Sequence, residues 1–259
     1  MTRRINLNAD IAEGFGAYDI GDDASLMRII KSASVACGFH GGDHNTMHRI
    51  VNLARDHGVS IGAHPGFNDL WGFGRREIKM KPADLEYMTA YQIGALQAIA
   101  CYANLKVTHL KAHGALSNMA ANDEGYAMAI GRAIKAVDAN IIFVALAGSE
   151  MEKAAVRLGL PLAREGFADR QYEEDGNLAS RAIAGTVYRE PKLAVEQALR
   201  MVEAGEVVAR NGRTIKVAVD TICVHGDEPS AVAVAKAVHE ALAKAGIANV
   251  TLPEMIASR

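Results

Sequence analysis

Short apolar runs that end in polar, reactive residues recur along this chain, separated by stretches in which apolar residues return at helical spacing. Runs at 5–9, 33–38, 59–63, 106–111, 140–146, 160–165 and 217–225 have the length of buried strands. Helices are expected at 24–30, from Asp43 to Gly58, from Pro82 through Tyr102, and at 123–137, 149–158, 191–204 and 228–245. Their ends carry capping signals: acids or prolines in the first turn, and in several cases a glycine just beyond the last. Strands alternating with helices imply βαβ units and a parallel sheet.

The reactive residues decide how that sheet should close. An open doubly wound sheet gathers its ligands mainly at one switch point, whereas a barrel brings every strand end of one polarity to a single rim. Here Asp10, His40, His64, Lys111 with His113, Glu165 with Asp169 and Arg170, and His225 with Asp227 follow different runs. A seven-stranded, TIM-like α/β barrel with an enzyme site at that rim is therefore expected. A chain of 259 residues fits one such domain spanning 1–259.

Two long irregular segments, 64–76 and 166–187, carry aromatic, glycine and arginine residues, among them Trp71, Arg75, Arg76, Tyr172 and Arg181. They are expected to be ordered lids over the rim. Composition narrows the partners. A formal net charge of −2 and a pI near 6.5 leave no basic surplus for nucleic acid or anionic lipid. With no apolar leader at the start and no stretch near the ~20 apolar residues of a membrane span, a soluble, cytoplasmic protein is expected. Cys37, Cys101 and Cys223 form no CxxC pair, and Cys37 and Cys223 are expected as small buried hydrophobes.

At the first strand mouth, Asp10 and Glu13 can serve as a general base, hold an ammonium group or bind a metal, although Glu13 can equally brace a turn. His40-Gly41-Gly42-Asp43 places a histidine and two glycines before a helix, a setting for an anion, with Asp43 as ligand or simple helix cap. His44 and His48 share a helix face but lack the HExxH glutamate, so they are expected at the surface, as are His57 and His239. Lys111 lies on a largely apolar strand and should meet a carboxylate there. His109 shares the parity of Lys111 and His113 but lies deeper, where a satisfied core histidine is expected. No phosphate-binding loop, dinucleotide fingerprint or nucleophile elbow is present. Histidines and Asp10 permit a mononuclear metal site without demanding one, and no residue is assigned as a metal ligand.

Asn6-Leu7-Asn8-Ala9-Asp10 with Glu13-Gly14-Phe15-Gly16, Ala36-Cys37-Gly38-Phe39-His40 with Gly42-Asp43, and Gly62-Ala63-His64-Pro65 resemble segments of the LamB/YcsF family. So do Gly72-Phe73-Gly74-Arg75-Arg76, His113-Gly114-Ala115-Leu116, Phe167-Ala168-Asp169-Arg170 with Tyr172, and Cys223-Val224-His225-Gly226-Asp227. Together they span nearly the whole chain in order; His44, Ala112, Ser117, Gly166 and Ala184 depart from the usual pattern. The resemblance implies a distorted seven-stranded barrel related to sugar hydrolases and deacetylases. It also implies the A subunit of ATP-dependent 5-oxoprolinase, opening the 5-oxoproline lactam to L-glutamate in a complex with subunits B and C. ATP, with Mg2+ and the partner subunits, would supply the activation for which this chain shows no phosphate loop. On that reading Asp10, His40, His64, Lys111, His113 and His225 are the catalytic candidates. Glu13, Asp43, Arg75, Glu165, Asp169, Arg170 and Asp227 are the substrate-binding candidates. Two alternatives stand beside it: a stand-alone metal-dependent amidase or deacetylase, and a non-catalytic substrate-binding subunit.

Overall fold

The computed structural model describes residues 3–226 and 229–258. Its strands are β1 (Arg4–Ile11), β2 (Ser32–Ala36), β3 (Ser60–His64), β4 (Val107–Lys111), β5 (Ile142–Leu146), β6 (Leu162–Phe167), β7 (Glu206–Val208), β8 (Thr214–Lys216), β9 (Thr221–Val224) and β10 (Ala248–Asn249). The helices are α1 (Asp23–Met27), α2 (His44–His57), α3 (Pro82–Ala100), α4 (Gly114–Asn122), α5 (Glu124–Val137), α6 (Glu150–Leu158), α7 (Pro191–Ala204), α8 (Ala231–Lys244) and α9 (Leu252–Ala257). Strands β1 to β6 pair in parallel in chain order, β6 pairs β9, and β9 pairs back to β1. Seven parallel strands thus close into the expected barrel. β10 extends β1 at its start, and β7 and β8 form a separate antiparallel hairpin.

Local chemistry sets these boundaries. Asp43 caps α2 by accepting the amides of Asn45 and Thr46, and Gly58 ends that helix at φ 62°. α2 then presses Met47, Ile50, Val51 and Ala54 into the core. Ser149 and Gly159 frame α6 in the same way, and Pro82 and Pro191 open α3 and α7.

β1 alternates in function as well as direction. Ile5, Leu7 and Ile11 join the apolar core, while Asn6, Asn8 and Asp10 reach across the barrel. The Asn6 amide donates to Ser32 Oγ (2.9 Å), that of Asn8 to Thr221 Oγ1 (2.7 Å), and Thr221 donates to Asn6 Oδ1 (2.6 Å). The barrel centre is a closed polar network, and such a network rigidifies when its members are satisfied.

The structure departs from the sequence expectations in several places. The strand expected at 5–9 runs on to Ile11, and so carries Asp10 itself. The one expected at 33–38 stops at Ala36, ahead of Gly38 at φ 92°. The last barrel strand begins at Thr221 rather than 217. The last long helix, expected from 228, begins at Ala231. α4, α9 and the β7–β8 hairpin were not expected, since each is too short to establish a period.

One barrel position has no room for a side chain. A Cβ at Gly62 would fall 2.2 Å from Cδ2 of the buried His109 ring. Gly62→Ala is expected to destabilise the protein by about 1–3 kcal/mol through overpacking, measured by denaturant unfolding. Wild-type stability in that variant would mean the His109 ring can move aside.

Candidate active site

A cavity of about 490 Å3 opens at the carboxyl ends of the barrel strands, within the range of small-molecule sites. Among the residues expected from sequence, Asp10, Glu13, His64, Arg75, Lys111, His113, Arg170 and His225 line it. His40, Glu165 and Asp169 stand one layer behind and brace residues that do. Asp43 is not brought to the cavity; it caps α2 and accepts the Gly16 amide at 2.8 Å. The amides of Asn45, Thr46, Gly38 and Gly42 are engaged within the chain. Asp227 lies outside the described residues.

Three buried groups meet at the cavity floor. Lys111 Nζ lies 2.8 Å from Asp10 Oδ1 and 3.1 Å from Glu165 Oε1. It also donates to Asn8 Oδ1 (3.2 Å) and to Cys223 Sγ (2.8 Å). Cys223 is therefore a polar partner of the lysine and not merely a small hydrophobe. Burial alone would discharge Lys111, but Asp10 and Glu165 override it and hold the ammonium well above its usual range. Burial would likewise raise Asp10, yet His64 and Lys111 keep its carboxyl well below the ordinary value. Glu165 goes the other way: burial raises it, and Lys111 only partly offsets this. The lysine expected to meet a carboxylate meets two.

A second group gathers histidines around Glu13. Ala12 turns the chain after β1 at φ 66°, its amide held by Asp23 Oδ2 at 3.3 Å, and this delivers Glu13 to the barrel mouth. Glu13 Oε1 lies 3.2 Å from His40 Nε2 and 3.3 Å from His113 Nδ1. Burial would raise the Glu13 carboxyl, but His113 and His40 beside it hold it far below the usual range. His64 Nε2 stands 3.0 Å from His113 Nδ1 and 3.5 Å from Asp10 Oδ2. Burial opposes charge on His64, but Asp10 raises its pKa. The His40 ring stacks on His113 with centroids 3.6 Å apart.

On the opposite wall, His225 Nδ1 lies 2.8 Å from Asp169 Oδ2 and 2.9 Å from Oδ1, and the same carboxylate accepts the His225 amide. Burial would raise Asp169, but His225 keeps it below the ordinary value. The ring stacks on Phe167, and Nε2 is the nitrogen that remains for the cavity. Arg170 is buried, donates through Nη2 to Ala179 O, and among the described residues has no hydrogen-bond partner at Nε. Burial, with Arg181 nearby, lowers its pKa to about 10.

Both lids are ordered by their own polar contacts. Asp69 binds Arg76 and the Gly72 amide in the first. In the second, the Gln197 amide donates to the carbonyls of Phe167, Ala168 and Arg170. Glu77, Asn118, Asn177 and Arg181 line the cavity without having been singled out as site residues. They come from lid and α4 positions that follow no period. Asn8, bonded to Lys111 and Glu165, did carry a signal, since Asn6, Asn8 and Asp10 alternate on one face of a strand.

The surface expectation holds for His44, His48 and His57, which are exposed, while His239 is half-buried. His109 is buried as expected but not satisfied: Nδ1 meets Thr108 Oγ1 at 2.9 Å, and Nε2 has no partner among the described residues. Burial, reinforced by Lys111, pulls His109 down to about 3. An unfolded histidine titrates near 6.5, so between the two values only the unfolded chain holds the proton. Stability should therefore fall as pH drops from about 6.5 toward 3, by up to about 1.4 kcal/mol per unit for this group. His40, pulled to about 3 chiefly by burial, acts in the same direction. His109→Gln is expected to flatten this acid limb, as followed by denaturant unfolding at a series of pH values. An unchanged slope would show that His109 does not remain neutral in the native state.

Comparison with known proteins places this geometry. The sequence pattern of the LamB/YcsF family matches residues 5–257. A protein of Rhodopseudomonas palustris named as the A subunit of 5-oxoprolinase is 53% identical over 245 residues, covering 94% of this chain and 96% of that one. A protein of the same name from Heliobacterium modesticaldum is 50% identical over 95% of this chain and 96% of its own length. The crystal structure of a lactam utilization protein from Thermus thermophilus superposes with a TM-score of 0.90 at 42% identity, covering 95% of this chain and 99% of that one. A T48 deacetylase, 16% identical with a TM-score of 0.51 over 99% of this chain and 92% of its own, shares the fold alone. Among the described residues, no helix is long and apolar enough to cross a membrane. Matched from end to end by the pattern and by relatives at half identity, this barrel belongs to the LamB/YcsF family.

Proposed function

We propose that the chain, read as one barrel domain over 1–259, is the A subunit of an ATP-dependent 5-oxoprolinase. Its reaction opens the cyclic amide of 5-oxoproline to L-glutamate. The observation that carries this reading is near-full-length identity of about one half to relatives bearing that name. The cavity supports it with the three devices that amide opening needs: an oriented base, a positive centre and a carboxylate anchor.

An unstrained five-membered amide resists water, so coupling to ATP has a chemical rationale. Phosphoryl transfer to the lactam oxygen, with ATP, Mg2+ and the partner subunits B and C, makes the ring carbon electrophilic. Water then adds to that carbon. The ring C–N bond breaks with its electron pair going to nitrogen, which takes a proton. A second water hydrolyses the acyl phosphate that remains. In sum, oxoproline, ATP and two waters give glutamate, ADP and phosphate.

His225, oriented by Asp169, takes the proton from the attacking water and returns it to the departing nitrogen. The charge on His64 faces the negative charge that develops at the ring carbon's oxygens. Arg170, whose Nε has no acceptor among the described residues, anchors the substrate carboxylate. Lys111 holds Asp10 and Glu165 in place rather than acting as a nucleophile. At the level of sequence, Asp10 and Glu13 had been the candidates for a general base.

The test is oxoproline-dependent glutamate formation with ATP and subunits B and C, with and without this chain. Glutamate only in its presence supports the reading. Equal turnover without it, with competent partners, would refute it and redirect the search to a stand-alone amidase.

A further inference from the structure

The histidine cluster contains more acceptors than donors. His64 Nδ1 lies 2.7 Å from the carbonyl oxygen of Lys111, and His113 Nε2 lies 2.8 Å from that of Phe73. A carbonyl oxygen only accepts, so both of these outer nitrogens must carry the hydrogen. The inner nitrogens, His64 Nε2 and His113 Nδ1, then present lone pairs to each other at 3.0 Å. Glu13 Oε1, a third acceptor, stands 3.3 Å from the His113 nitrogen and 4.0 Å from that of His64. With both imidazoles neutral, three buried lone pairs converge with no hydrogen between them, and such a cluster calls for a cation.

The spacing fits a metal. Donors bound tetrahedrally at about 2.0–2.1 Å lie about 3.3 Å from one another; two of the separations, 3.0 and 3.3 Å, are close to this, and the third, 4.0 Å, closes by a small movement of the Glu13 carboxylate. The surroundings fit as well. Metal-bound imidazoles characteristically donate their other N–H to a carbonyl or carboxylate, which is the arrangement of both His64 and His113. His40 donates to Glu13 and stacks on His113, so the carboxylate and one ring are each fixed by a further buried residue. The carbonyl that orients His113 belongs to Phe73, itself held at φ 53° in the first lid. All three donors also line the cavity, which leaves an approach for an ion and an open position for a bound molecule.

We propose that Glu13 Oε1, His64 Nε2 and His113 Nδ1 form a site for one divalent ion of the zinc class, with its remaining position open to the cavity. Two imidazoles and one carboxylate suit late first-row ions better than calcium or magnesium. The site rests on donor geometry and does not depend on the lactam reading.

The test uses the purified full chain, stripped with a chelator and titrated with Zn2+ and with Co2+ in the absence of any substrate. Calorimetry reads stoichiometry and cobalt absorption reads the coordination. One ion per chain is expected, with a cobalt spectrum of low coordination number. Glu13→Gln and His113→Gln should each weaken binding by at least about tenfold. His48→Gln, on the exposed face of α2, should leave it unchanged. Circular dichroism identifies which variants remain folded, and either cluster variant suffices. Failure of the folded wild-type chain to bind either ion would overturn the proposal. So would binding that persists in a folded cluster variant, or that is lost in His48→Gln. Because glutamate formation plays no part in these readouts, this site and the proposed reaction can fail independently.

Discussion

Lys111→Met is expected to lower stability by about 3–5 kcal/mol and turnover by at least about a hundredfold. Methionine fills much of the lysine's volume but leaves Asp10 and Glu165 without the cation that lies 2.8 and 3.1 Å from them. Both acids are buried, and solvent cannot replace the lost charge. Asp10 would then rise from its depressed pKa and take up a proton, which in turn would weaken the hold of Asp10 on the charge of His64. Denaturant unfolding measures the first effect and coupled glutamate formation the second. Adding Glu165→Gln to Lys111→Met should recover part of the stability but little of the activity, because it removes one uncompensated acid while Asp10 remains. A single variant as stable as the wild type would show that water or a rearranged neighbour reaches the floor of the barrel.

Asp169→Asn should leave the fold nearly intact and reduce kcat by on the order of a thousandfold. The carboxylate accepts hydrogen from His225 Nδ1 and thereby keeps the lone pair on Nε2, the nitrogen that remains for the cavity. An asparagine amide can donate to Nδ1 instead, and the imidazole then carries its proton at Nε2, where it cannot act as a base. Substrate affinity should change little, since Asp169 lies behind the histidine. Steady-state kinetics with a thermal unfolding control separates these effects. Loss of KM with kcat preserved would assign Asp169 to binding and return the base to the Asp10 side of the cavity.

How much of this was legible beforehand differs from residue to residue. Asp10, His64, Lys111 and His225 end apolar runs, and a parallel barrel has only one rim at which those ends meet. Period-2 alternation says which side of a strand a residue takes, but not which layer of the barrel mouth it reaches. For that reason Glu165 and Asp169 were indistinguishable in sequence from residues that face substrate, yet they stand behind Lys111 and His225. His40 was displaced in the same way, behind Glu13 and His113. Asp43 carried both a cap signal and a site signal, and the free amides of the helix start took it.

The sequence by itself determined the alternation of strands and helices and the family, because these follow from local periodicity and from motifs spread along the whole chain, while its strand-end residues only favoured closure of the sheet. It also marked which side chains are chemically able to act. The tertiary structure alone decided their partnerships: one lysine between two acids, one histidine backed by one aspartate, and two imidazoles turned toward Glu13 by distant carbonyls. The reason is physical. Periodicity is a property of neighbours in the chain, whereas the charge state of a buried group is set by atoms within a few ångströms that arrive from other strands. Lys111 and Asp10, 2.8 Å apart, lie on β4 and β1, and only barrel closure brings them together.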